Sequence, residues 1–529
     1  MPQRPATRFA ASSHVAFGIL LSRLTGLARE RAIGYYFGVD SIVADALRQA
    51  IRIPNLLSNL FGEGVLSASF VTVYAKLRAQ GSDADARHLA AAVFALLSLI
   101  CSLLVLVGVA ATPLLIDLIA PGFQGEERML TIRLVRVLFP GTGLLVLSAW
   151  CLGVLNSHGR FLLSYTAPMV SNITVIAILI WSGRHLKDER LVIPVAWAIV
   201  LGSGLQFLVQ LPSVLKLLPA FRPAFDTASE YVRSVFRNFW PIFLSRGVVQ
   251  ISSYIDSMIA SFLPVGAVAA LGYGQVISIL PISLFSMSVA AAELPTLSSA
   301  IGSSEEVALF LRARLSSGLR RIAFWIVPSA AAFLLLGDVL VAALYQTQTG
   351  RFRHADAVYA WAVLAGSAVG LLATALGRLY SSAFYALLDT RTPLRFALIR
   401  VVLTVALGVP FALYLPPWID IDPKWGVAGL TASAGIAGWV EFVLLRNGLG
   451  KRIGKTSLPA SFTARLWLVA FTAGLLAYLI KLQVGTAHPI LLASLALPLY
   501  GGVYFAGTAA LGIGESRSTL KRLLSVGRS

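Results

Sequence analysis

Charge is what this sequence has least of. Only 13% of its 529 residues are Asp, Glu, Lys or Arg, about half the ~25% of an ordinary soluble domain. A conventional water-facing surface is therefore excluded. Cysteine is nearly absent. Both copies, Cys101 and Cys151, sit inside apolar runs, where a free thiol acts as a small hydrophobe and no disulfide framework is implied. The six histidines show no metal-ligand spacing. Polar–apolar alternation at every second residue is missing too, which excludes a transmembrane barrel.

What remains is hydrophobic length. The chain is 57% hydrophobic, with a mean hydropathy of +0.79. Runs such as AAAVFALLSLICSLLVLVGVAATPLL (90–115) exceed the ~20 apolar residues a helix needs to cross a bilayer. The fold class is an all-α polytopic membrane protein. Fourteen apolar segments are expected, at 14–37, 44–75, 89–119, 130–157, 161–182, 191–217, 236–262, 267–299, 317–345, 357–386, 394–416, 425–446, 462–482 and 488–512. Arg23 interrupts the first of them too early for a cleaved signal peptide, so it reads as a retained span. The sequon at Asn172 lies within an apolar run and is discarded.

The net charge of +19 reads as topology. Basic residues gather in alternate connectors, such as Lys76, Arg78 and Arg87, then Arg312, Arg314, Arg320 and Arg321, then Lys451, Arg452 and Lys455. The other connectors carry Asp40, Glu126, Glu127, Asp420 and Asp422. Lys and Arg stay inside, so both termini are expected in the cytoplasm. No basic face is interleaved with aromatics, and nucleic acid is not a partner. The basic tail, 514–529, is expected to lie along the inner leaflet, against membrane lipids.

An internal echo suggests two halves. LSR opens both 21–23 and 244–246, and each copy is followed by a helix with a mid-membrane proline, Pro54 and Pro281. Such repeats build many transporters. The expected organisation is an N-lobe at 1–222, a C-lobe at 223–455 and two added spans at 456–513.

Charge inside these spans is costly, and by default it lines a cavity or pairs internally. In segment 2, at about 100° per residue, Asp45, Arg48, Arg52, Asn55, Asn59 and Glu63 share an arc of about 80°. In segment 1, Arg23 and Glu30 share one face, and Arg29 sits beside it. Segment 7 repeats the pattern with Arg246, Gln250, Ser253 and Ser257, next to Asp256. One reading is structural: Asp45 or Glu63 neutralises an arginine and locks helices 1 and 2 together, with Glu30 and Arg31 as pairing or boundary charges. The other is a hydrated cavity in which arginines outnumber carboxylates. Guanidinium matches phosphate bidentately, so the cavity reading implies an anionic, phosphorylated cargo.

The stretches LSRLTGLARERAIGYYFG and ADALRQAIRIPNLLSNLFGEGVLSASFVTVYA, then APGF, LNSHGRFLLSYTAPMVSNI, LYQTQTGRF and FYALLDTRTPLRFA, occur in an order similar to the MurJ/MviN lipid II flippases of the MOP superfamily. The resemblance implies fourteen spans, two six-helix lobes around a central cavity, and a lipid-tail groove at segments 13 and 14. It implies a monomer in the bacterial inner membrane. Its cargo would be an undecaprenyl-pyrophosphate-linked peptidoglycan precursor, moved outward by alternating access. Arg23, Arg29, Asp45, Arg52 and Glu63 match the family's functional positions. Asp256 and Asp389 match acidic positions tied to sodium, so sodium or the membrane potential would drive the cycle. The family has arginine at the positions of Ser58 and Val276, a polar amide at Tyr385 and an apolar residue at Arg48. Arg48, one turn from Arg52, is expected to restore one lost positive charge. Three alternatives follow: a flippase for another polyprenyl-linked oligosaccharide, a MATE-like cation-coupled exporter, and a membrane enzyme acting on polyprenyl phosphates. The enzyme would need carboxylate or histidine clusters at a membrane face, and the sequence shows none.

Overall fold

Apolar runs of this length can hide their backbone polar groups in hydrocarbon only by bonding within one helix, and the described residues contain helices and no strand. The structure is a computed structural model that describes residues 5–61, 66–219, 221–223, 225–226, 229–298, 304–387, 389–456, 458–484 and 488–517. By packing, the chain divides into two units, Met1–Ser261 and Phe262–Ser529.

The first unit holds α1 (Pro5–Phe37), α2 (Ile42–Phe61), a π-helical turn (Ser67–Val71) leading into α3 (Thr72–Ala79), then α4 (Asp83–Ala110) and α5 (Thr112–Ile119). It continues through α6 (Gly125–Ser157), α7 (Phe161–Ser182), α8 (Glu189–Leu217) and α9 (Glu230–Ala260). The α1–α2 turn needs a left-handed residue, and Gly38 supplies it with φ +66°. Ser41 Oγ then caps α2 by accepting from Ala44 N at 3.1 Å. α6 packs on α2, α4 and α8, with Trp150, Val154 and Leu155 fully buried along it. Asn172, the discarded sequon, is buried on α7 and donates to Thr25 Oγ1 on α1 at 3.2 Å. Cys101 and Cys151 are both free and buried. The seventh apolar segment, α9, belongs by packing to this first unit, which ends at Ser261.

The second unit holds α10 (Ala267–Pro281), a π-helical turn (Ile282–Ser286), α11 (Met287–Ser298), α12 (Ser304–Tyr345) and α13 (His354–Ala386). After these come α14 (Arg391–Val409), a π-helical turn (Pro410–Tyr414), α15 (Leu415–Trp418), a 3-10 turn (Pro423–Trp425), α16 (Gly426–Ile453), α17 (Ala460–Val484) and α18 (Pro489–Ala510). α13 and α16 run parallel along a seam of small residues. A Cβ on Gly370 would lie 2.2 Å from Gly435 Cα, and one on Gly366 would lie 2.1 Å from Thr431 Oγ1. Such close approach substitutes for the hydrophobic drive that lipid does not supply. Tyr380 and Phe442 meet further along the seam, with ring centroids 5.6 Å apart.

α17 and α18 pack on α12. Pro328 has no N–H, so the Phe324 carbonyl one turn earlier loses its usual helical partner. Tyr504 Oη on α18 donates to that carbonyl at 2.6 Å, and Tyr500 Oη donates to Pro328 O at 2.6 Å. Lys481 Nζ reaches Asp338 Oδ2 at 2.5 Å. Tyr504→Phe should therefore lower the stability of the purified protein by about 1–3 kcal/mol, the cost of an unsatisfied buried carbonyl. Thermal unfolding in detergent, read against Tyr504→Phe with Pro328→Ala, checks this. The second change restores the helical donor and should recover most of the loss.

Among the described residues, eleven helices are long and apolar enough to cross a membrane. α1, α2 and α9 are the other three that correspond to the fourteen apolar segments.

Candidate functional site

The site is built where α1 turns into α2. Glu30 lies about two turns before the end of α1, and Arg48 about two turns after the start of α2. The tight turn at Gly38 brings them together. Arg48 Nη1 contacts Glu30 Oε2 at 2.6 Å, and Arg29 Nη2 donates to Glu30 Oε1 at 2.9 Å. One carboxylate thus holds two guanidinium groups, a local balance of one positive charge. The Glu30 and Arg48 side chains are 10% and 12% exposed, whereas Arg29 is 32% exposed. Arg29 is the member open to a ligand, and its buried Nε has no hydrogen-bond partner among the described residues.

α9 closes one side. Ser257 Oγ donates to Gln49 Oε1 at 2.5 Å, and Gln49 Nε2 donates to Ile119 O at 3.1 Å. Tyr254 Oη donates to the Arg52 carbonyl at 2.5 Å. Gln49 and Tyr254 were not singled out from sequence. Gln49 lies just outside the polar arc of α2, which was the available signal. Nothing in periodicity pointed to Tyr254.

The other expected residues fall as follows. Asp45 is buried near the start of α2, Arg52 and Asp256 are half-buried, and Arg23 and Asn55 are exposed. Glu63 and the Asn59 side chain lie outside the described residues, as do the side chains of Arg246, Gln250 and Ser253. The ion pair between helices 1 and 2 uses Glu30, which, of its two expected roles, pairing or boundary charge, takes the first. One expectation changes. Arg48 is not a free replacement cation, because its guanidinium is engaged with that carboxylate.

Asp389 behaves as a helix cap. Its Oδ1 accepts from Arg391 N at 3.1 Å and Thr392 N at 3.0 Å. Its Oδ2 accepts from Thr392 Oγ1 at 2.6 Å and Arg452 Nη2 at 2.5 Å. Those Thr392 bonds, with Arg452 beside them, hold the Asp389 carboxyl down at about 2. A sodium ion would have to displace a guanidinium and two N–H donors, so this arrangement does not fit the ion. Among the described residues no three His, Cys, Asp or Glu side chains gather as a metal site.

The family model described as lipid II flippase MurJ matches residues 33–496. The chain belongs to the MurJ family. The lipid II flippase MurJ of Burkholderia cenocepacia is 32% identical over 453 residues, 84% of each chain. A probable lipid II flippase MurJ of Bdellovibrio bacteriovorus is 29% identical over 524 residues, 96% of this chain and 95% of that one. Among solved structures, a MurJ lipid II flippase in an inward closed conformation matches with a TM-score of 0.75 at 23% identity. It covers 94% of this chain and 98% of its own. An inward-facing MATE multidrug transporter of the MOP superfamily matches with a TM-score of 0.63 at 17% identity, covering 84% of this chain and all of its own. These structural likenesses carry the MurJ and MATE all-α fold to this chain.

Proposed function

We propose that this chain is a transporter that moves lipid II, a polyprenyl-pyrophosphate-linked peptidoglycan precursor, from the inner to the outer leaflet of the bacterial cytoplasmic membrane. The observation that carries the reading is the Arg29–Glu30–Arg48 cluster. Two guanidinium groups share one carboxylate inside the span, and Arg29 is exposed enough to give its remaining N–H groups to a pyrophosphate. No bond is made or broken. The protein supplies a polar path for charge that hydrocarbon would reject, and alternating access supplies the motion. The names of the relatives support the cargo. The membrane potential is the driving force that suits this charge balance, since Asp389 is occupied as a cap. We read both termini as cytoplasmic from the basic connectors, and the working unit as a monomer.

The MATE likeness supports the fold. A cationic cargo of the exporter type would be repelled by the excess arginine.

Complementation in a strain depleted of its own lipid II flippase tests the proposal. The wild-type gene should restore growth and Arg29→Ala should not, at equal membrane levels. Rescue by Arg29→Ala would contradict the role of that residue, and failure of the wild type would contradict the cargo.

A further inference from the structure

A second cluster of the same composition lies within the second unit. Arg400 Nη1 on α14 donates to Glu441 Oε2 on α16 at 3.0 Å. Arg378 on α13 lies close enough to both for their charges to act on it. The seam explains why. Gly366 faces Thr431, Gly370 faces Gly435, Gly438 faces Thr374 and Tyr380 faces Phe442. This parallel register sets Arg378 level with Glu441. The antiparallel contact of α14 and its following π-helical turn with α16, where Phe396 lies against Gly448 and Phe411 against Gly429, brings Arg400 to the same level.

Depth makes the cluster informative. Arg378 is eight residues from the end of α13, Arg400 nine from the start of α14, and Glu441 twelve from the end of α16. At 1.5 Å per residue the three sit roughly 12 to 18 Å inward from those ends, along helices that cross a hydrocarbon core ~30 Å thick. Glu441 is 16% exposed and Arg400 30% exposed, and Arg378 is exposed. Its guanidinium makes no ion pair or hydrogen bond among the described residues. A guanidinium left this way inside a span is expensive unless it meets water or an anion. Two guanidinium groups against one carboxylate leave one positive charge to be met.

We propose that Arg378 and Arg400 form a second phosphate-binding subsite, in which Glu441 orients Arg400 and the ligand is the phosphate of an amphiphile. Arg378 offers its whole fork, and Arg400 offers the N–H groups that Glu441 does not occupy. Planar guanidinium groups engage phosphate through paired bonds. Two sources carry this chemistry: the pyrophosphate of the transported lipid and the phosphodiester of a membrane phospholipid. The choice of an amphiphile as ligand rests on the flippase reading.

Purified full-length protein in nanodiscs would be titrated separately with undecaprenyl pyrophosphate and with phosphatidylglycerol, and lipid II transport measured alongside. Arg378→Gln should weaken binding of undecaprenyl pyrophosphate about tenfold, the effect of one charge-assisted bond. Glu441→Gln should bind as tightly as wild type or more tightly, because it removes a competing negative charge. A purely structural Arg400–Glu441 pair predicts the reverse, with stability lost in Glu441→Gln and affinity unmoved in Arg378→Gln. A loss confined to phosphatidylglycerol supports the subsite and assigns it to membrane lipid. Unchanged affinity for both lipids in folded Arg378→Gln and Arg400→Gln overturns it, as does a wild type that binds neither. If wild type transports lipid II while both variants bind normally, the subsite falls and the flippase reading stands. If binding falls as expected but wild type moves no lipid II, the flippase reading falls alone.

Discussion

Glu30→Gln should be the most damaging single change in the first unit, lowering stability by about 3–5 kcal/mol. The reason is the geometry of its partners. Arg48 is 12% exposed and Arg29 is 32% exposed, so removing the carboxylate takes from both guanidinium groups the acceptor they share. The charge balance of the cluster rises from one to two. The double variant Glu30→Gln with Arg48→Met returns it to one, and should recover most of the lost stability. Thermal unfolding of the purified single and double variants in detergent forms the cycle. The coupling between the two sites should be large and favourable. A double variant that is the sum of its singles would mean that Glu30 and Arg48 do not act as a pair.

Gly370→Leu should be the most damaging change in the second unit. Even a Cβ at this position would stand 2.2 Å from Gly435 Cα, and backbone cannot step aside as a flexible side chain can. A leucine adds three further carbons to that collision. The cost should reach about 3 kcal/mol, the upper end of overpacking, and the seam of α13 and α16 should open. Because the same seam sets the level of Arg378 against Glu441, ligand affinity at that cluster should fall with stability. Gly370→Ala should be intermediate. Melting temperature and the yield of monodisperse protein are the readouts. A Gly370→Leu protein of wild-type stability would show that the helices do not meet so closely.

The fold was legible because its signal is long and redundant. Each apolar run exceeds a bilayer span, and errors of a few residues at either end do not change a helix count. α1, α2 and α9 fall short on hydropathy alone, yet each still reads as an apolar segment whose polar residues repeat at helical spacing. The site was legible only by composition. Periodicity placed Arg48 on the polar face of α2 with Asp45 and Arg52, but it does not fix how α1 and α2 are rotated against each other. That rotation is set by the left-handed turn at Gly38, and it is what gives Arg48 to Glu30. Asp389 shows a different limit. The string DTRTP has the form of a helix start, with Asp389 three residues ahead of Thr392, and the structure uses it so. Family resemblance had suggested a cation there. Arg378, Arg400 and Glu441 lie on three separate helices, so no single helical face displayed them as a group. Their meeting depends on the small-residue seam, whose partner is not written in either helix alone.

The most direct test is lipid II translocation by the purified protein in liposomes. Lipid II placed in the inner leaflet should become accessible to an external probe with wild type, and much more slowly with Arg29→Ala. Folded, correctly inserted wild type that leaves lipid II inside would contradict the account.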